Sequence, residues 1–278
     1  MIGLLERRIA SVDQRLVLLA PACTAVPEYF RNVTVDPRRH ARHLREIQRM
    51  RGGIYLNDGA VQVDELSSEG LHETPEDDNS WHLVMFRAGR QPSSCVWYME
   101  HENTAGFDEL RVRHCPLNQV SPWRETLARA VAAELAHARR ERLQYAEVGG
   151  WAVAPESRCT SEGLLLALAA YSLGRIFGGA LGMTTATVRH ASSTILKRIG
   201  GSPLDAGGAE LPAYFDPKYD CHMELLRFDS RRPNPKYALL IELLRHQLKK
   251  VEVVAADSVT AAAPLPWATR SIPAAAYA

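Results

Sequence analysis

The stretch that most constrains this chain is "YAEVGGWAVAPESRCTSEGLLLALAAYSLGRIFGGALGMTTATV", from Tyr145 to Val188. A strand-like segment over 145–153 passes through a polar loop into an apolar helix over 162–177. A second strand-like segment follows over 181–188. A right-handed crossover makes such strands parallel neighbours in one sheet. The loop "PESRCTSEG" then falls at the carboxyl end of a strand and the amino end of a helix. Unpaired N–H groups and the positive end of the helix dipole meet there. Two readings stay open: a cradle for a phosphate, or an ordinary turn capped by Thr160 or Ser161.

Elements on both sides extend this unit into a mixed α/β pattern. Residues 1–19 carry Ile2, Leu5, Ile9 and Leu16 between charges, which predicts an amphipathic helix. "DPRRHARHLREIQRMR" (36–51) predicts a helix with Asp36 as cap and Pro37 in the first turn. Its Arg38, Arg42, Arg45 and Arg49 share one face, and Ala41, Leu44 and Ile47 another. "GGIYLNDGAV" predicts a break. An acidic loop, "SSEGLHETPEDDN", leads into "SWHLVMFRAG" and "SSCVWYMEHE", read as a hairpin. "FDELRVRHC" is read as a short strand. Residues 122–144 are read as a helix with Pro122 at its start and Leu127, Val131, Leu135 and Ala138 as its stripe. "RHASSTILKRIGG" reads as a helix, "YDCHMELLRFD" as a strand, and "PKYALLIELLRHQLKKVEVV" as a helix entering a short strand. The expected organisation is one unit over 1–254 with an Ala/Pro-rich, loosely ordered tail over 255–278.

Composition removes several function classes. The 278 residues carry a net charge of +1, so no global field advertises a nucleic acid. The longest apolar run is too short to span a bilayer. Charges at Glu6, Arg7, Arg8, Asp13 and Arg15 break any leader-like apolar stretch. The five cysteines lack CxxC spacing, which fits free thiols in a reducing, cytoplasmic setting. The histidines offer no ligand set, so no metal is expected. Cys159, near the predicted helix start, is a weaker candidate nucleophile.

The loop itself, Val153-Ala154-Pro155 followed by Arg158-Cys159-Thr160-Ser161-Glu162-Gly163, resembles the acyl-CoA-binding loop of the GNAT superfamily of N-acyltransferases. Arg158 and Gly163 match the outer positions of its Arg/Gln-x-x-Gly-x-Gly/Ala pattern; Ser161 stands at the first Gly. "RMRGGIYLNDG", the acidic loop and the hairpin resemble the front half of N-acyl homoserine lactone synthases and N-acyl amino acid synthases. Arg51 and Tyr55 match the Arg and aromatic of that group, Asp77 and Asp78 its acidic positions, and Glu147 the Glu of its "E-x-x-R" strand. Gly150 replaces the Arg of that motif.

The resemblance implies a GNAT-like fold, a twisted mixed sheet with flanking helices and a central βαβ unit. It implies transfer of an acyl group, fatty in this group, from an acyl-CoA or acyl-carrier-protein thioester to an amine such as an amino acid. No permanently bound cofactor is implied. Val153, Ala154, Arg158, Thr160, Ser161 and Gly163 would hold the phosphopantetheine arm. Arg51, Tyr55, Asp77, Asp78 and Trp81 would face the substrates, and Glu147 would take the amine's proton. For each there is a plainer alternative: a strand Glu satisfied by neighbours, a solvated acidic loop, a surface Arg. Trp81, Met85, Phe86, Trp97 and Tyr98 suit an acyl tunnel or a core equally. The Arg38–Arg49 face and "HARRER" (137–142) suit an acidic carrier protein or plain solvent. A silent acyl-thioester-binding module and a small-acyl transferase remain the competing functions.

Overall fold

The computed structural model describes residues 14–87, 91–189 and 191–257. Their elements in chain order are β1 (Gln14–Leu19), β2 (Val33–Val35), α1 (Pro37–Asn57), β3 (Trp81–Arg87), β4 (Pro92–His101), α2 (Trp123–Glu141) and β5 (Gln144–Val153). Then follow α3 (Glu162–Ile176), β6 (Ala180–Thr187), α4 (Ser192–Ile199), β7 (Ser202–Pro203), β8 (Tyr214–Asp216), β9 (Cys221–Asp229), α5 (Pro235–Leu248) and β10 (Glu252–Ala255). The strands join one mixed sheet in the order β2-β10-β1-β3-β4-β5-β6-β9-β7, with β8 on β9. This is the expected mixed α/β architecture. The hairpin is β3–β4, antiparallel, and the crossover pair β5–β6 is parallel.

Alternation along the strands sorts the side chains into two faces. Leu18, Leu83, Val96, Tyr98 and Ala146 pack under α3 and α5. Val17, Val84 and Cys95 pack under α1, and Tyr145, Leu181 and Met183 under α2.

Five expectations are corrected. Residues 14–19 form β1, not the end of a helix, while 1–13 lie outside the described residues. A strand held between β10 and β3 buries both faces, so Val17, Leu18 and Leu19 are all buried and show no alternation. The helix from Pro37 does not break at Gly52-Gly53 but runs to Asn57. Gly52 is needed for contact, because a Cβ there would lie 2.6 Å from the Gly70 carbonyl. On that helix Ala41 is exposed and His40 and His43 are buried instead. "FDELRVRHC" forms successive 3-10 turns rather than a strand; Glu109 closes the first by accepting the Gly106 N–H at 2.7 Å. The expected tail begins inside β10, since Ala255 accepts the Asp36 N–H at 3.0 Å; residues 258–278 lie outside the described residues.

The decisive feature is where β5 and β6 stop pairing. Their parallel register runs from Gln144↔Ala180 to Glu147↔Met183 and ends there, although the strands continue to Val153 and Thr187. On its other edge β5 carries an extra residue against β4: Trp97 opposes Gly149, but Cys95 opposes Ala152. The bulge, with Gly150 at φ 60°, bends β5 away from β6 and opens a wedge in the sheet. Below the wedge the two strands are locked closely. A Cβ on Gly182 would collide with the Ala146 carbonyl and lie 2.5 Å from Phe228 Cζ. Gly182→Ala is expected to cost about 3 kcal/mol or more, read as a fall in the urea midpoint.

Candidate functional site

A cavity of about 480 Å³ occupies the wedge and passes through the sheet. On the α3 side its wall is apolar, with Leu164, Ala167, Ala170, Tyr171 and Phe228. On the α1 side it is lined by Arg51, Tyr55, His72, Trp97 and Arg111. Five arginines line the cavity (51, 111, 158, 189 and 227), against a single carboxylate among the described residues, Asp58. Most of the countercharges sit behind the wall. Arg51 pairs with Asp77 at 2.7 Å, Arg111 with Glu76 at 3.2 Å and Arg227 with Glu134 at 2.9 Å. Arg158 pairs with Asp58 at 2.8 Å. Arg189 donates to the carbonyls of Asp58 and Tyr219, each at 3.0 Å. The cavity thus has an apolar end and a cationic end.

Arg51 is 1% exposed and is held rigidly. Its Nη2 donates to Asp77 Oδ2 at 2.7 Å and to the His72 carbonyl at 2.5 Å, and its Nε to His72 Nδ1 at 3.1 Å. Nη1 has no hydrogen-bond partner among the described residues and lies beside Gly150 on the cavity wall. Because Nδ1 of His72 accepts from Arg51, its proton is on Nε2. Burial and the adjacent Arg51 hold His72 down to about 4, so it is a neutral donor near pH 7. Burial alone would push the Asp77 carboxyl up, but Arg51 holds it below the usual carboxylate range. Asp77 also accepts from Gln48 Nε2 and the Thr74 N–H, both at 3.0 Å.

The loop between β5 and α3 is anchored by a residue that sequence reasoning passed over. Glu162, at the first turn of α3, is buried and accepts from the hydroxyls of Ser93 (2.5 Å), Ser94 (2.6 Å) and Ser157 (3.1 Å). A carboxylate is favoured at a helix N-terminus, and here it ties the loop to β4. Among the described residues, the N–H groups of Cys159, Ser161, Gly163 and Leu164 have no acceptor. Cys159 takes φ 60°, which turns the chain into α3.

The candidate residues divide clearly. Arg51, Tyr55, Val153, Arg158, Thr160 and Gly163 line the cavity. Ala154 does not, and its N–H is taken by the Ser93 carbonyl at 2.8 Å. Ser161 sits at the cap of α3 without a side-chain bond. Asp77 lies behind Arg51, and Asp78 is exposed. Trp81 packs with Phe30 and Phe177 in the core under α3, as do Met85 and Tyr98, while Phe86 packs under α1. Of the hairpin aromatics only Trp97 reaches the cavity. Glu147 is the main correction. Its carboxylate faces away from the wedge, under the 3-10 turns, and accepts from the Arg111 N–H (2.8 Å), the Val112 N–H (3.0 Å) and His101 Nε2 (3.0 Å). With both oxygens engaged and no place on the cavity wall, it braces the 3-10 turns.

No family model matches the chain, and no curated protein does. Solved structures do. A CoA-dependent acyl-homoserine lactone synthase, BjaI, with SAM and isopentyl-CoA, matches over 87% of this chain and 92% of its own, at TM-score 0.52 and 12% identity. The same synthase with MTA matches over the same shares at TM-score 0.50 and 12% identity. FeeM, an N-acyl amino acid synthase from uncultured soil microbes, covers 79% of this chain and 93% of its own at 15% identity and TM-score 0.44. The fold is GNAT-like.

Proposed function

We propose that the protein is an N-acyltransferase, one unit over residues 1–254, that moves an acyl group from an acyl-CoA or acyl-carrier thioester to a carboxylate-bearing amine such as an amino acid. The observation that carries this is the two-ended cavity in the parted sheet. The unpaired edges of β5 and β6 offer N–H and C=O groups to the amides of a pantetheine arm, as an added strand would use them. The free N–H groups at the start of α3, with Arg158, suit a phosphate. The acyl chain then lies against Ala167, Ala170, Tyr171 and Phe228. The thioester carbonyl sits at the β5 bulge, where a strand N–H outside the ladder meets the charge that develops on its oxygen. The acceptor's carboxylate points to Arg51 Nη1. The amine nitrogen attacks the thioester carbon, the C–S bond breaks, and the departing thiolate takes up the proton that the amine releases.

Since Glu147 is engaged elsewhere and His72 donates, the amine enters as the free base. The expected pH profile of kcat/KM therefore rises about tenfold per pH unit up to the acceptor amine's own pKa. A plateau reached near pH 7 would instead require a base in the cavity. The same engagement of Glu147 favours a second reading, a module that binds acyl thioesters without turning them over.

The test uses acetyl-CoA, octanoyl-CoA and an octanoyl-carrier protein with a panel of amino acids. Thiol release with a long-chain donor supports the acyltransferase, and the preferred donor separates coenzyme A from carrier protein. A raised Tm without thiol release supports the binding module. Turnover with acetyl-CoA alone assigns a small-acyl transferase. If no thioester moves Tm, the reading falls.

A further inference from the structure

The position expected to carry an arginine on β5 holds Gly150, and the structure shows what fills the space. The indole of Trp97 lies flat over the glycine pair. A Cβ on Gly150 would lie 2.6 Å from Trp97 Nε1, and a Cβ on Gly149 would lie 2.7 Å from Trp97 Cη2. On that indole rests a guanidinium from another segment: Arg111, with its central carbon 5.6 Å from the ring centroid. Arg111 lines the cavity beside Arg51 and Tyr219, and its Nε meets Glu76 at 3.2 Å. Its own backbone N–H is gripped by Glu147. Arg111 also lies in a segment whose sequence reads as a strand, so its role is invisible before folding.

We propose that Arg111 supplies the cation absent from position 150. It binds the acceptor's carboxylate together with Arg51, and Glu147 is the positioning residue that fixes Arg111 through the backbone of residues 111–112. The inference rests on the acyltransferase reading above and deepens it. Two guanidiniums on an aromatic wall, with no unpaired carboxylate among the described cavity residues facing them, fit an anionic acceptor; a guanidinium held over an indole and ion-paired through Nε has further N–H donors to offer a planar carboxylate. The acceptor class is therefore an α-amino acid, and its amide should be a poor substrate.

The experiment compares L-leucine with L-leucinamide and L-phenylalanine with L-phenylalaninamide, using the octanoyl donor. In the wild type the acid should be preferred. Arg111→Gln should raise the KM for the acid about 10- to 100-fold, the scale of one lost charge-assisted contact, while the KM for the donor holds. It should also erase the preference over the amide, and Arg111→Lys should recover part of it. Glu147→Gln, which keeps one acceptor oxygen for the two N–H groups, should show a smaller rise of the same kind, and Glu147→Ala a larger one. A merely structural role would lower kcat or protein yield without this split in KM. If no donor is turned over, the reading of the function fails separately. The inference is then read from quenching of tryptophan fluorescence by L-leucine against L-leucinamide, since Trp97 and Trp151 flank the site. Acid-selective quenching that Arg111→Gln abolishes supports it. An unchanged acid preference in Arg111→Gln, or none in the wild type, overturns it.

Discussion

Replacing Asp77 by asparagine is expected to destabilise the protein by about 3–5 kcal/mol, the cost of leaving a buried charge without its partner. The same change at its exposed neighbour Asp78 should cost less than about 0.5 kcal/mol. The contrast follows from geometry: Asp77 is 3% exposed and holds Arg51, Gln48 and the Thr74 N–H together. Arg51 is itself only 1% exposed. The pH dependence has a definite sign. The folded-state pKa of Asp77 lies below its unfolded value, so its contribution is complete above about pH 4. It is lost as pH falls through the lower, folded value. Two neighbours act earlier. Burial holds His72 and His82 at about 4 against an ordinary 6.5. Between those values the unfolded chain binds more protons, so stability declines as pH drops from 6.5 to 4. The decline is about 3 kcal/mol for each histidine. Urea unfolding of wild type, Asp77→Asn and His72→Gln at pH 7, 5.5 and 4.5 tests all of this. Asp77→Asn within 1 kcal/mol of wild type at pH 7, or a flat wild-type profile from 7 to 4.5, would falsify the account.

The parts of this molecule that were legible in the sequence share a cause. The crossover unit, the hairpin and α5 each couple a clear period to Gly, Pro or capping residues at their ends, so local and tertiary preferences agree. β1 was not legible because a strand buried on both faces has no alternation, and Leu16 alone then fits a helical period. Gly52-Gly53 read as a break because an isolated helix is weakened there. Packing overrides that cost, since only a hydrogen at Gly52 lets the Gly70 carbonyl approach and seat His72 against Arg51.

The site was legible only in part, for a related reason. The loop from Val153 to Gly163 could be found because the residues that shape it are consecutive. Arg51 could be named, but its partner Asp77 stands 26 residues away beside the equally acidic Asp78. Nothing in "EDDN" says which carboxylate turns inward. Glu147 looked like a base because an acid in an apolar strand is costly without a task. Its task is to accept N–H bonds from residues 111 and 112, whose segment was misread as a strand. A wrong local assignment thus hid both the brace and the cation it holds.

The change most tempting on paper should fail. Gly150→Arg recreates the "E-x-x-R" spacing, but it is expected to destabilise the protein by about 2–5 kcal/mol. Gly150 takes φ 60°, which costs an L-residue about 1–2 kcal/mol. Overpacking against the Trp97 indole adds about 1–3 kcal/mol. Gly149→Ala carries only the overpacking term and should cost about 1–3 kcal/mol. Because both clashes are with one ring, each glycine change should be strongly non-additive with Trp97→Leu. The double variant Gly149→Ala/Trp97→Leu should be no less stable than Trp97→Leu alone, within about 0.5 kcal/mol. Urea midpoints of the four variants measure this, and near-wild-type stability of Gly150→Arg would sink the idea. The consequence reaches the chemistry, since the indole displaced by a Cβ is the surface on which Arg111 rests. Each glycine variant that still folds should therefore weaken acceptor binding more than donor binding. The glycines make room for Trp97, Trp97 supports Arg111, and Glu147 fixes the backbone that carries it.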